Sequence, residues 1–362
     1  MNLMRPKHII CLIENLGSGG AERQLSGLAV LLHQQGHDVE VWYYVDKDFY
    51  VPYLKENGVV SRYMPELRDS IKRFFTLHKQ LRKAAPDTVI SYSASPSMIC
   101  SALKMVGAKY NLIVSERNTT QSITRREKLL FYLYRWADYI VPNSHAQGRF
   151  LSSYSPKLAP KINVITNFVD TTRFSPTKDL VIISPTTRVV CVGRLFEQKN
   201  IPTFIEAVAK VAQDGYSFHV DWFGKDYGDA YAAKCHEAHA RCQMENYFTF
   251  HEPQTDIEVQ YRNHDVFFLP SIYEGYPNVL CEAMSCGLPV MGSRVSDVPD
   301  LIAEGENGFL FDPKDVDDMA RNVERMLDLT PEERLRMGEK SREIAVERFS
   351  KEKFLQKYLE II

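Results

Sequence analysis

Glu274 and Glu282 lie eight residues apart in L-P-S-I-Y-E-G-Y-P-N-V-L-C-E-A-M-S-C-G-L-P-V, residues 269–290. Pro277 suits the first turn of a helix and Gly287 its end. The amides of Asn278, Val279 and Leu280 then fall in a first turn, where they point at an anion. Glu282 sits one turn further, inside an otherwise apolar run, and burying a carboxylate is costly unless it is hydrogen-bonded or paired. A sugar diol is one suitable partner, and a buried ion pair is the purely structural one. A second segment, V-V-C-V-G-R-L-F-E-Q-K-N, puts Arg194 directly after a β-branched run and Lys199 five residues on. Two cations converging on the end of a strand can hold a diphosphate without a metal, although an exposed Arg and Lys are also commonplace on loops. A third, G-S-G-G-A-E-R-Q at 17–24, opens straight into a helical pattern, so that Gly19 and Gly20 let backbone amides approach a phosphate. Its spacing is not G-x-G-x-x-G, which counts against an ordinary dinucleotide dehydrogenase.

Ligands bind beyond the carboxyl ends of strands in open parallel sheets, so the elements that carry these residues decide whether they meet. Short β-branched runs alternate with helical periods along the whole chain, the pattern of parallel sheets covered by helices. The expected strands are 8–13, 39–44, 88–92, 112–115, 139–141 and 162–165 in the first half, and 188–192, 218–223, 247–250, 266–269 and 288–291 in the second. A helix over 21–35 is expected to stop at Gly36. Residues 166–187 carry Thr-Thr and Ser-Pro breaks without a period and read as an interdomain linker. Two doubly wound α/β domains of similar size follow, with a cleft between them.

Composition agrees with this class. The chain has 362 residues, 44% apolar and 25% charged, which excludes a disordered, collagen-like or disulfide-miniprotein chain. No apolar run is long enough to span a bilayer, and the N-terminal run is too short for a secretory signal, so the expected location is the cytoplasm. Seven cysteines, at 11, 100, 191, 235, 242, 281 and 286, never form C-x-x-C and are expected as buried thiols. The net charge of −2 hides an asymmetry: residues 1–170 hold 22 Lys and Arg against 14 Asp and Glu, a net +8, and the remainder is −10. A basic first half points to an anionic partner.

At this point a resemblance becomes recognisable. The Glu274 and Glu282 segment, preceded by V-G-R-L-F-E-Q-K-N and followed by G-E-N-G-F-L-F at 305–311, resembles the retaining glycosyltransferases of family 4. N-terminal G-S-G-G-A-E-R-Q, N-F-V-D at 167–170 and the closing F-S-K-E-K-F-L-Q-K-Y extend the likeness over the whole chain. The resemblance implies a GT-B architecture: two Rossmann-like domains, 1–170 with 345–362 returning to it, and 171–344, facing across a cleft. It assigns the second domain to a nucleotide-sugar donor, by family frequency a UDP-sugar. Arg194 and Lys199 would hold the diphosphate, Glu274 the hydroxyls of the transferred sugar and Glu282 the ribose. Asn278, Val279 and Leu280 would offer amides, with Gly19 and Gly20 approaching the phosphates from the first domain. Arg194, Lys199 and Glu274 are the expected catalytic residues.

Two departures stand out. Many members carry a histidine where this chain reads V-S-E-R-N, 114–118, so Glu116, Arg117 and Asn118 become candidates for acceptor or sugar contacts. S-R-V-S-D-V-P-D at 293–300 replaces a common glycine pair. Neither D-x-D, Asp46 with Asp48 or Asp315 with Asp317, lies in a suitable place, and no obligatory metal or other cofactor is expected. The basic aromatic stretches 67–87 and 123–139 fit a peripheral contact with anionic membrane, or else a core-facing stripe with a solvated basic back. The implied acceptor is a glycan or lipid-diphosphate-linked saccharide in cell-surface polysaccharide synthesis, without nucleic acid, at the inner face of the plasma membrane. A nucleotide-sugar 2-epimerase of the same fold and a non-catalytic nucleotide-sugar-binding protein are the alternatives.

Overall fold

The computed structural model describes residues 5–69, 72–117, 119–176 and 186–362. The chain forms two compact units, one running to Phe168 and completed by Lys351–Ile362, the other Val169–Ser350. The first holds β1 (His8–Leu12), β2 (Asp38–Tyr43), β3 (Val60–Tyr63), β4 (Thr88–Tyr92), β5 (Asn111–Glu116) and β6 (Tyr139–Pro142), all parallel, in the order β3-β2-β1-β4-β5-β6. The second holds β7 (Thr187–Val192), β8 (Phe218–Phe223), β9 (Phe248–His251), β10 (Val266–Leu269), β11 (Val290–Ser293) and β12 (Gly308–Phe311), in the order β12-β11-β10-β7-β8-β9. Both sheets are doubly wound and Rossmann-like. Each reverses direction at one place, between β1 and β4 and between β7 and β10, and there the strand ends open a crevice.

Both faces of each sheet are covered, which is why the central strands read as continuous apolar runs. In the second unit Phe204 of the helix Ile201–Gln213 stacks on Phe268 of β10 with centroids 4.3 Å apart, while Val190, Phe223 and Phe267 pack on the other side with Leu280 and Met284. In the first unit Phe354, Leu355 and Tyr358 of the last helix, Lys351–Leu359, enter the core around Ile9, Leu28 and Tyr92. Helix Gly20–Gln34 stops at Gly36 as expected. Gly36 takes φ +87°, its N–H bonds to His33 O, and the His37 N–H reaches back to Leu32 O.

The structure corrects several expected elements. Residues 162–165 are not a strand. Ile162 makes a single bridge to Ile140, and the N–H groups of Asn163 and Ile165 bond to Ile140 and Pro142, but Pro142 has no N–H to complete the ladder. The strand expected at 288–291 begins at Val290, because Leu288 still closes the preceding helix through its bond to Ala283 O. β3 and β12 were not expected as strands. The expected linker is not free: Val169 and Phe174 are buried in the second core, and Arg342 donates to the Phe174 carbonyl at 2.9 Å. Residues 177–185 of that stretch lie outside the described residues. Among the described residues no helix is long and apolar enough to cross a membrane.

One glycine fixes how closely β7 and β8 end. A Cβ on Gly224 would lie 1.8 Å from the Gly193 carbonyl oxygen, backbone that cannot move aside cheaply. Gly224→Ala is therefore expected to destabilise the protein by about 3 kcal/mol, at the upper end of overpacking costs, measured as a fall in the denaturant midpoint.

Candidate functional site

The crevice in the second unit is built from the loops that follow β7 and β10. After β7 the chain passes Gly193 and Arg194, makes a single 3₁₀ turn over Glu197–Lys199, and enters the helix Ile201–Gln213 through Asn200. Asn200 is left-handed, φ +57°, and its Nδ2 donates to the Pro313 carbonyl at 2.7 Å. The Trp222 indole N–H holds the Gly193 carbonyl at 2.7 Å. This loop is stitched to the one after β10: the Ile272 N–H donates to the Gln198 carbonyl and Gln198 Nε2 to the Tyr273 carbonyl, both at 2.9 Å.

The stitching brings Lys199 Nζ to 2.7 Å from Glu274 Oε1, with the two side chains only 16% and 8% exposed. An ammonium carries three donors, so a second anion can share Lys199 with Glu274. Arg194 leaves the same loop exposed, its guanidinium 5.8 Å from the Phe196 ring centre. The helix Asn278–Ser285 follows, with a buried Pro277 at its N-cap, whose ring offers no capping group. Asn278, Val279 and Leu280 therefore form its first turn, where the amides and the helix dipole favour an anion. Glu282 is 2% exposed, and the buried Tyr261 hydroxyl donates to its Oε2 at 3.2 Å. The structure thus joins Lys199 to Glu274 directly and sets Arg194 and the helix N-terminus on the same loops. Tyr261 and Gln198 were missed by sequence reasoning. The i, i+4 spacing of Ile257 and Tyr261 marks a buried helical face, but nothing in it signals a carboxylate partner.

In the first unit Gly19 is the N-cap of Gly20–Gln34, with the Glu22 carboxylate close beside it. Asn15 Oδ1 accepts the Gly17 N–H at 2.9 Å and shapes the turn after β1. Glu116 ends β5 and is buried, with the Tyr134 hydroxyl donating to its Oε1. Burial pushes this carboxyl up to about 7 against the pull of the tyrosine, and the Glu127 charge adds to the rise. Arg117 next to it is committed elsewhere. Its Nη1 donates to Asn167 Oδ1 at 2.9 Å, its Nη2 to the hydroxyls of Tyr92 and Tyr358, and its plane lies over Tyr92 at 4.2 Å. Asn118 lies outside the described residues. The loop continues through Thr120, clasped at both its N–H and its hydroxyl by the buried Gln147 amide.

Asp315 caps the helix Val316–Leu327 and Asp317 pairs with Lys210 at 2.5 Å, so this D-x-D is a helix start. Among the described residues no group of three His, Cys, Asp or Glu could hold a metal ion. All seven cysteines are free and six are buried.

The model of the glycosyl transferases group 1 matches residues 177–344, and that of glycosyltransferase family 4 matches residues 18–173. The chain belongs to the group 1 glycosyltransferases. Its relatives include an uncharacterized glycosyltransferase of Haemophilus influenzae, 27% identical over 98% of this chain and 100% of that one. A Campylobacter jejuni enzyme named as the GalNAc-alpha-(1->4)-GalNAc-alpha-(1->3)-diNAcBac-PP-undecaprenol alpha-1,4-N-acetyl-D-galactosaminyltransferase is 25% identical over 87% of this chain and 88% of its own. Among solved structures, HepE of Anabaena in complex with UDP superposes with a TM-score of 0.85 over 98% of both chains at 19% identity. The two doubly wound units are the GT-B fold of this family, and a glycosyltransferase is what the chain is.

The buried Glu116 gives the glycosyltransferase a measurable pH signature. Its folded value lies above the ordinary one, so its stabilising contribution is complete below the ordinary glutamate range and is lost as pH rises towards and past 7. Glu116→Gln keeps the shape and the acceptor for Tyr134 but cannot ionise. Relative to the parent it is expected to gain about 2 kcal/mol on going from pH 5 to pH 8, read as a growing difference in thermal midpoint.

Proposed function

We propose that this glycosyltransferase transfers a hexosyl-type sugar, with retention, from a UDP-sugar to a lipid-diphosphate-linked saccharide or glycan in polysaccharide biosynthesis, and needs no metal. The observation that carries the reading is the Lys199–Glu274 pair at the reversal point of the second sheet, with Arg194 on the same loop and a helix N-terminus after it. Lys199 and Arg194 take the donor diphosphate together with the amides of Asn278, Val279 and Leu280, Glu274 takes hydroxyls of the sugar, and Glu282, steadied by Tyr261, takes the ribose. Gly19 and Gly20, at the start of the first unit's helix Gly20–Gln34, offer amides suited to a phosphate. Glu116 meets the acceptor, beside a loop end that Arg117 holds in place. UDP is supported by the HepE complex, and a polyprenyl diphosphate carrier by the name of the Campylobacter relative. The acceptor oxygen bonds to the anomeric carbon on the face from which the diphosphate leaves, and a phosphate oxygen takes the acceptor's proton. What the protein supplies is charge stabilisation on the departing diphosphate, fixed before the reaction begins.

The reading is tested with Lys199→Ala and with EDTA. Turnover is expected to fall ~100-fold or more in the variant, and the parent is expected to keep its activity in EDTA with a product of the donor's anomeric configuration. Loss of parent activity in EDTA, restored by magnesium or manganese, would move the diphosphate chemistry onto a metal. Interconversion of the donor without an acceptor would instead mark an epimerase.

The acceptor side carries a second part of the reading: the reaction runs in the cytoplasm against the inner face of the plasma membrane. Helix Arg125–Leu133 buries Leu130, Phe131 and Leu133, yet its outer side exposes Leu129 and Tyr132, each about half, among Arg125, Arg126, Lys128 and Arg135. Phe75 stands 73% exposed on Arg73–Ala84. Basic groups around exposed apolar ones suit an anionic lipid surface, at ~1 kcal/mol per basic residue. Co-sedimentation with phosphatidylglycerol vesicles is expected, falling with salt, weak on pure phosphatidylcholine, and largely lost when Arg125, Arg126 and Lys128 become Glu. Equal sedimentation with both vesicle types, or with neither, would point to a soluble acceptor.

A further inference from the structure

The backbone of Glu274 is gripped from two sides, and one grip comes from a residue that no motif marks. We propose that Ser296 is a positioning residue for Glu274, its hydroxyl holding the Glu274 peptide so that the carboxylate stays at Lys199. Ser296 Oγ donates to the Glu274 carbonyl at 2.5 Å. Together with the two bonds that Gln198 makes to Ile272 and Tyr273, three consecutive residues of this loop are tied to its neighbours. Gln198 reaches in from the loop after β7 and Ser296 from the loop after β11, on opposite sides of β10 in the sheet.

The conformation of Ser296 makes the same point. Its φ is +49°, in the left-handed region that glycine adopts freely and that strains a residue with a Cβ. A serine held where glycine would rest without strain contributes something that only its side chain can provide, and here that is the bond to Glu274. Rotation of the 274 peptide would swing a carboxylate whose oxygen now sits 2.7 Å from Lys199 Nζ. Displacements of about 1 Å in a reacting constellation can cost ~100-fold in rate.

This inference rests on the reading of Glu274 as a contact to the transferred sugar, and the test separates the two. UDP release is measured with UDP-glucose, UDP-galactose and UDP-N-acetylglucosamine, alongside UDP affinity by calorimetry and the thermal midpoint, for Ser296→Gly, Ser296→Ala, Glu274→Gln and the double variant Glu274→Gln with Ser296→Gly. Ser296→Gly is expected to lose at least tenfold in turnover while binding UDP as the parent does and melting at the same temperature or higher. Ser296→Ala, which keeps the strain, is expected to lose as much turnover but to melt lower. In the Glu274→Gln background Ser296→Gly is expected to change turnover less than twofold, because it acts through Glu274. Parent-like turnover in Ser296→Gly, or a tenfold loss that persists in the Glu274→Gln background, overturns the positioning role. Turnover that falls only in step with the melting temperature assigns Ser296 to stability and overturns it as well. Parent-like turnover in Glu274→Gln removes the reading of Glu274 itself.

Discussion

A largely covered ammonium and a buried carboxyl group in contact are expensive to assemble, and the second unit is organised around that expense. Glu274 is buried and Lys199 largely covered, a loss of water that their mutual attraction offsets only when the geometry is good and the remaining polar atoms are satisfied. The satisfaction comes from backbone. Gln198 and Ser296 bond the peptides of the Glu274 loop, the Trp222 indole holds the Gly193 carbonyl beneath Lys199, and Asn200 is anchored to Pro313. Even the glycines belong to this arrangement, since a Cβ on Gly193 would meet Lys199 Cε at 2.9 Å. Such a pair adds little net stability. Its value lies in presenting fixed charge where the sheet reverses, with ammonium donors still able to meet a second anion.

The first unit solves a different problem with a guanidinium. The last helix must be kept in a sheet far away in sequence, and Arg117 does this by donating to Tyr358 while also holding Tyr92 and Asn167. Tyr92 and Tyr358 are themselves bonded at 3.0 Å. A planar cation stacked on one phenol and bonded to two suits a fixed junction better than a lysine would. Arg117 was expected among residues that touch substrate; its commitments make it part of the frame on which the neighbouring Glu116 stands.

How much of this was legible in the sequence depended on whether a signal was local. The alternation of apolar strands and helical periods is local, and it set out both doubly wound units. β3 escaped because V-S-R-Y is an edge strand with no fully buried residue, so no apolar run betrays it. Residues 162–165 misled because their β-branched pattern is real, while what denies them a ladder is a proline on the partner strand. In the site, Arg194, Lys199, Glu274 and Glu282 were visible from residue type and spacing. That Lys199 and Glu274 would touch was not, since 75 positions separate them. Tyr261, Gln198 and Ser296 were invisible for the same reason: a hydrogen bond to another loop's carbonyl or carboxylate leaves no local pattern.

Glu116 and Glu274 show what the surroundings make of one side chain. Both are almost wholly buried at the carboxyl end of a parallel strand or in the loop after it. Glu274 has an ammonium at 2.7 Å, which fixes where its carboxyl group lies. Glu116 has the Tyr134 hydroxyl, and burial outweighs that bond, holding its carboxyl near neutrality in pH terms. A carboxyl in that state can donate a hydrogen bond as well as accept one. The difference is one of surroundings: in the second unit a buried carboxyl group is fixed against an ammonium where the sheet reverses, and in the first a buried carboxyl group at a strand end is met by a phenol.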